Sequence, residues 1–192
     1  MPIHKSALVM IALTMPVLTT VVSSARAETP GHYGIGRAAT DAEIAGWNID
    51  IGRNGENLPP GSGTVSQGRE VFAQQCAACH GDKGQGGVGE RLVGGQGTIA
   101  TPKPIKTVGS YWPYAPTLFD YIRRAMPQNA PQSLGNEDVY AVSAYILNMN
   151  GLLPADATLD AKTLSAIKMP NRSMFTGDPR PDVRNPACEK GC

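Results

Sequence analysis

Cys76-Ala77-Ala78-Cys79-His80 is the stretch on which the fold of this 192-residue chain turns. Two cysteines three positions apart, followed at once by a histidine, form the C-x-x-C-H pattern of covalent haem attachment. Its chemistry needs this order. Two thiols at a helix end reach the two vinyl groups of one haem and form thioethers, and the next residue offers an imidazole nitrogen to the iron. Two other readings stand beside it. A thioredoxin-like dithiol would need a preceding strand in a βαβ setting, and none is visible. A zinc site would recruit Cys188 and Cys192 as its second pair, whereas a secreted chain with a histidine after the motif favours haem. The pattern therefore assigns one haem c to Cys76 and Cys79, with His80 as the proximal iron ligand.

Outward from the motif, helical signals dominate. Gly68, Phe72 and Cys76 repeat at four-residue spacing, which predicts a helix from about Ser66 to His80. A glycine-rich loop over residues 81–97 follows, and Pro102, Pro104, Pro113 and Pro116 keep the next stretch extended. A further helix is expected over Thr117 to Met126, stopped by Pro127. The clearest helix runs from Asn136 to Asn150, with Asn136 as cap and Glu137 and Asp138 at the positive end of its dipole. Gly151 ends it. Val139, Val142, Ile146 and Met149 form its buried stripe. Thr40-Asp41-Ala42-Glu43 has the form of a capping box and predicts a short helix through Ala45 and Trp47. A short helix over Asp160 to Lys168 is the one regular element expected beyond Pro154. No alternating strand pattern appears, so the fold class expected is all-α.

The iron's sixth ligand must come from elsewhere in the chain. The candidates are His32, Met126, Met149, Met169 and Met174. Met126 is followed by Pro127 and precedes the last strong helix. That placement resembles class I c-type cytochromes, in which a Met-Pro loop closes over the distal face, and it makes Met126 the expected distal ligand. Met149 sits on an apolar stripe, Met169-Pro170 repeats the pair in the tail, and His32 is isolated near the amino terminus. With histidine and methionine on the iron no position is open to oxygen or peroxide, and the soft thioether favours Fe(II). Such a centre moves one electron at a time.

The bulk numbers agree. Glycine (22) and proline (16) are abundant, and aromatics are only 6% of the chain. Such a chain either leaves long segments unpacked or fills its core with something other than protein. A net charge of +1, with no basic stripe, excludes an electrostatic nucleic-acid binder. His4 and Lys5, the apolar run from Ala7 to Val22 and the small-x-small triplet Ala25-Arg26-Ala27 read as a cleaved secretory leader over residues 1–27. The run is shorter than the ~20 residues a membrane-spanning helix needs, so no stable membrane insertion is expected. The expected location is a bacterial periplasm, where thiols oxidise. There Cys188 and Cys192 are candidates for a local disulfide, for a redox-active pair, or for free thiols or a bond to another chain.

Residues 64–152 resemble a class I cytochrome c, with Gly68 and Phe72 on the first core helix and Tyr145 on the last at the crossing point of that class. A narrower resemblance spans most of the chain. Tyr33-Gly34-Ile35-Gly36-Arg37, the turn Leu58 to Gly63, the block Lys106 to Tyr121, the helix Val139 to Leu152 and the tail Met169-Pro170-Asn171-Arg172 are similar to the cytochrome subunit of sulfane dehydrogenase, SoxD. The resemblance implies a molybdenum-cofactor partner subunit, SoxC, and a place in thiosulfate oxidation, with electrons passed on to a soluble cytochrome c. It implies an electron-transfer subunit and not an enzyme by itself. Two departures stand out. Some members carry two haem modules, whereas this chain has one motif. Many class I cytochromes also place Gly-Pro-x-Leu after the motif to orient the proximal histidine, and here Gly89-Glu90-Arg91-Leu92 stands there, which leaves the partner of the second His80 nitrogen open.

The organisation expected is a leader (1–27), an amino-terminal arm (28–63), the haem domain (64–152) and a carboxy-terminal arm (153–192), the arms being suited to lie on a neighbour. A free-standing periplasmic shuttle, and a haem enzyme or ligand sensor with an open iron site, are the alternative functions. Tyr111, Trp112 and Tyr114 are expected to pack against the haem edge; Trp112 or Tyr114 could instead bond a haem propionate, with Arg91 offsetting its charge. Arg123-Arg124 fits either a docking surface or a solvated helix face.

Overall fold

The computed structural model describes residues 35–177. The leader 1–27, His32, Cys188 and Cys192 lie outside the described residues. Residues 35–40 belong to a separate unit and are exposed along their length. From Asp41 onward the described chain folds as one compact unit.

That unit is assembled around two short strands that each lead straight into a capped helix. Strand β1 (Ser62–Thr64) pairs antiparallel with β2 (Thr158–Asp160), Ser62 opposite Asp160 and Thr64 opposite Thr158. Thr64 then caps α2 (Val65–Gln75), accepting from the Gln67 amide while the Gln67 side chain accepts from the Thr64 amide. Asp160 and Thr163 make the same reciprocal box at α6 (Ala161–Ala166). Two orphan amides are satisfied at each helix start. The all-α expectation thus holds apart from this ribbon. Three residues are too few to show alternation, and the partners lie far apart in sequence.

Helix α5 (Asn136–Met149) is the central element. Its Tyr140, Ala141, Val142, Ser143, Ala144, Ile146 and Leu147 are all buried, so the expected stripe widens to most of its circumference. Helix α2 crosses it at Gly68. A Cβ there would run into the Ala141 carbonyl and come within 2.8 Å of the Tyr145 Cβ, so only glycine allows this approach. Phe72 meets Tyr145 edge to face, centroids 5.4 Å apart, a favoured aromatic geometry. On the other side α4 (Ala115–Ala125) buries Leu118, Phe119 and Ile122, and Phe119 packs 4.4 Å from Tyr140. The Tyr140 hydroxyl donates to the Pro59 carbonyl at 2.8 Å, satisfying a phenol sunk in apolar surroundings.

Several boundaries differ from expectation. The helix expected to run unbroken to His80 divides at Cys76, whose φ of −122° interrupts it before α3 (Ala77–His80). Gly135, not Asn136, is the cap of α5, and no side chain caps it. Helix α4 begins two residues early because Pro116 suits its first turn. At the end of α5, Gly151 takes a φ of 73°, and the Leu152 and Gly151 amides return to the Leu147 and Asn148 carbonyls, a Schellman closure. Helix α1 (Asp41–Trp47) forms where the capping box predicts it, with every residue exposed.

The core also draws on both flanks of 64–152. Ile51, Leu159, Leu164 and Met169 are buried members of the same apolar cluster. Asp120, itself buried, accepts from the Ile51 amide at 3.1 Å, and Arg124 bridges Asp120 and Asp50. The hydrogen bond to Asp120 is the first cause holding the Arg124 guanidinium above its ordinary pKa. Arg123 donates to the Ile49 carbonyl. The arginine pair therefore also holds the chain's own amino-terminal flank, Arg124 doing so from an exposed position on its helix.

Candidate functional site

The attachment motif occupies the last turn before a reversal of the chain. The His80 amide donates to the Cys76 carbonyl at 2.9 Å, so the turn from Cys76 to His80 keeps helical pitch after the break. This sets Cys76, Cys79 and His80 on one tight turn. Cys76 is half-buried and Cys79 exposed, both as free thiols. Burial, and secondarily the neighbouring Cys79, pushes the Cys76 thiol up to about 11. A reactive dithiol has the opposite property, a depressed thiol pKa, so the environment disfavours the thioredoxin-like reading. The zinc reading needs Cys188 and Cys192 as its second pair, and both lie outside the described residues.

The question left open at His80 is answered by Glu90. His80 Nδ1 lies 2.6 Å from the Glu90 carbonyl oxygen. A carbonyl can only accept, so Nδ1 carries the proton and Nε2 keeps its lone pair for a metal. The backbone of Glu90 therefore does the orienting expected of a proline carbonyl, without the proline. Gly89 makes room for it: a Cβ at 89 would sit 2.9 Å from His80 Cε1. Backbone bonds lock the reversal, from the Gly86 amide to the His80 carbonyl and from the Gly89 amide to the Cys79 carbonyl, at 2.8 and 2.9 Å.

The segment just after Glu90 is tied to the core by a residue at the end of a helix. Asn150, buried at the end of α5, donates to the Leu92 carbonyl at 3.1 Å and accepts from the Gly94 amide at 3.2 Å. Gln96 donates back to the Asn150 carbonyl. Thr107 and Ser110 extend the same network, Thr107 donating to the Gly94 carbonyl and Ser110 to that of Ile105. A loop rich in glycine is thereby fixed to the last core helix. A polar residue at a helix C-terminus carries no sequence signal for this role, because its partners are backbone groups more than fifty residues away.

The methionines separate clearly. Met126 is the C-cap of α4, half-buried against the core, and the Met126–Pro127 bond is cis. Met149 is half-buried at the end of α5. Met169 is 3% exposed inside the apolar cluster, which makes it a packing residue, and Met174 is 61% exposed. Leu92, Trp112, Met126, Leu134 and Met149 are half-buried apolar side chains packed against the core. Two thiols and an anchored imidazole on one turn fit a covalently held haem. Among the residues proposed for its propionates, Trp112 stacks edge-on to Tyr121 at 5.8 Å, Tyr114 lies under the Arg172 guanidinium, and Arg91 donates to the Gln85 carbonyl.

Comparison with known proteins agrees with this geometry. Residues 63–146 match the family of cytochrome c oxidase, cbb3-type, subunit III. A thiosulfate dehydrogenase of Stutzerimonas stutzeri (strain A1501) is 33% identical over 91 residues, 46% of this chain, although the match spans only 28% of that protein. The crystal structure of the sulfane dehydrogenase SoxCD from Paracoccus pantotrophus contains a chain 40% identical, which superposes with a TM-score of 0.73 over 81% of this chain and 77% of its own length. Likeness at that level, carried well beyond the haem motif, places the chain among the SoxD-like cytochromes c, a family of electron-transferring haem proteins.

Proposed function

We propose that the chain is the cytochrome subunit of a periplasmic SoxCD-like sulfane dehydrogenase, holding one haem c and passing electrons from a molybdenum-containing partner to a soluble cytochrome c. The observation that carries this reading is the 40% identity to a chain of SoxCD, spread over 81% of the sequence and so not confined to a generic haem fold. Cys76 and Cys79 bind the haem covalently, His80 is the proximal ligand and Met126 the distal one. The haem supplies a reversible one-electron couple. The protein supplies the rest: His80 is kept in the Nδ1–H tautomer by the Glu90 carbonyl, and the loop that bears Glu90 is held rigid by Asn150, so that little rearranges when an electron arrives or leaves. The leader at 1–27 supports export, and a Cys188–Cys192 disulfide would then clip the tail.

Co-expression with a haem maturation system and a SoxC-like molybdenum subunit tests this. Mass spectrometry should find one haem per mature chain, with the first 27 residues removed. Molybdenum should copurify in a fixed ratio. Met126→Ala should abolish the weak near-infrared methionine–iron band and make the reduced protein bind carbon monoxide. A chain that always purifies without molybdenum would favour a free-standing shuttle. An unchanged spectrum in Met126→Ala would remove that residue from the iron.

A further inference from the structure

Charge is unevenly placed along this nearly neutral chain. From Arg91 to Phe119 there is no aspartate or glutamate, and from Ala161 to Gly177 there is again none. The two segments contribute Arg91, Lys103, Lys106, Lys162, Lys168 and Arg172. The fold brings them together. Asn171 donates to the Tyr111 carbonyl at 2.5 Å, the Tyr111 ring packs 5.5 Å from Phe175, and the Lys106 ammonium lies 5.0 Å from the Tyr111 ring. The Arg172 guanidinium sits 5.0 Å from the Tyr114 ring. Lys103, Lys106, Lys168 and Arg172 are exposed and form no salt bridge among the described residues. Within this frame Met174 and Phe175 stand 61% and 51% exposed. Unpaired cations around a small exposed apolar centre make a surface complementary to carboxylates.

We propose that this face, built from Lys106, Tyr111, Tyr114, Arg172, Met174 and Phe175, with the exposed Lys103 and Lys168 each within four residues of it along the chain, is the docking surface for an acidic redox protein. The proposal rests on the electron-transfer function above and names the chemistry of one of its two partners, the transient acceptor. A permanent subunit interface is large and apolar, whereas this one is small, cationic and aromatic. Charge of one sign speeds encounter and lets the complex dissociate, as turnover of a carrier requires. The rings hold the cations in place without neutralising them, since a cation–π contact leaves the charge free to face a partner.

The test uses the full haem-loaded chain and a plastocyanin bearing an acidic patch as probe. Calorimetric titration at 10 mM and 300 mM NaCl reads binding, and stopped-flow oxidation of the reduced chain reads transfer. Binding should weaken by about tenfold or more between the two salts. The pair Lys106→Glu/Arg172→Glu should weaken low-salt binding by about tenfold or more and remove the salt dependence. Because those two side chains also pack on rings, Lys103→Glu/Lys168→Glu serves as a second pair with no ring contact among the described residues, and it should act in the same direction. Absence of binding at low salt, or equal binding by wild type and both pairs, overturns the proposal. So does a concentration-dependent dimer in sedimentation that the same pairs abolish, because the face would then meet a second copy. Reduction of uncharged 1,4-benzoquinone is read separately: a wild-type chain that binds the probe but reduces neither acceptor refutes the carrier function and leaves the docking face standing.

Discussion

Replacing Asn150 with alanine isolates the contribution of the loop anchor. The side chain is 7% exposed and serves two backbone groups of the haem-side loop, the Leu92 carbonyl and the Gly94 amide. Its bond to the Ile146 carbonyl matters less, since that oxygen also accepts from the Asn150 amide. Leaving a buried donor or acceptor unpaired costs about 1–3 kcal/mol, and part of the loop can open to water, so the expected loss is about 2–4 kcal/mol for the two groups together. Equilibrium unfolding in urea, followed by far-ultraviolet circular dichroism at unchanged m-value, measures it. Glu90 stands two residues before Leu92, so a loosened loop should also weaken the His80 Nδ1 bond. A weaker bond makes the imidazole less electron-rich and should raise the haem reduction potential. A loss below about 0.5 kcal/mol with an unchanged potential would refute the reasoning, because a typical net hydrogen bond alone is worth about that much.

Other perturbations follow from the same packing. Gly68→Ala places a Cβ into the Ala141 carbonyl and should cost about 1–3 kcal/mol in urea unfolding, as overpacking of a closed interface does. Tyr140→Phe removes the bond to the Pro59 carbonyl and should cost about 1 kcal/mol by the same assay. Asp160→Ala should destabilise the protein in a pH-dependent way. The Asp160 carboxyl is lowered first by the Thr163 amide, so its contribution is complete above the ordinary carboxylate pKa and disappears as pH falls through the lowered folded value. Wild type and variant melting temperatures should therefore converge in acid and separate above about pH 5.

Much of this was legible in the chain. Cys76 to His80 names its chemistry because covalent attachment fixes residue type and spacing within five positions. Thr40 to Glu43 and Gly151 mark helix ends because capping is local. Gly68 and Phe72 showed the crossing face by simple repetition. The two strands were not legible, since Leu58 to Gly63 reads as a turn until Thr158 to Asp160 is set beside Ser62 to Thr64. Arg123 and Arg124 looked like surface charge because their partners, the Ile49 carbonyl, Asp50 and the buried Asp120, arrive from another part of the chain.

The sequence by itself determined the cofactor chemistry, the helical class and the short list of ligands, all of which depend on residues close together along the chain. Only the tertiary structure decided what orients His80, what anchors the loop that does so, and that Ile51, Leu159, Leu164 and Met169 belong to the core and not to free arms. The reason is physical. A backbone carbonyl has no identity in sequence, so Glu90 can replace a proline there unseen. A buried polar side chain such as Asn150 acquires its role only from the distant groups that folding brings to it.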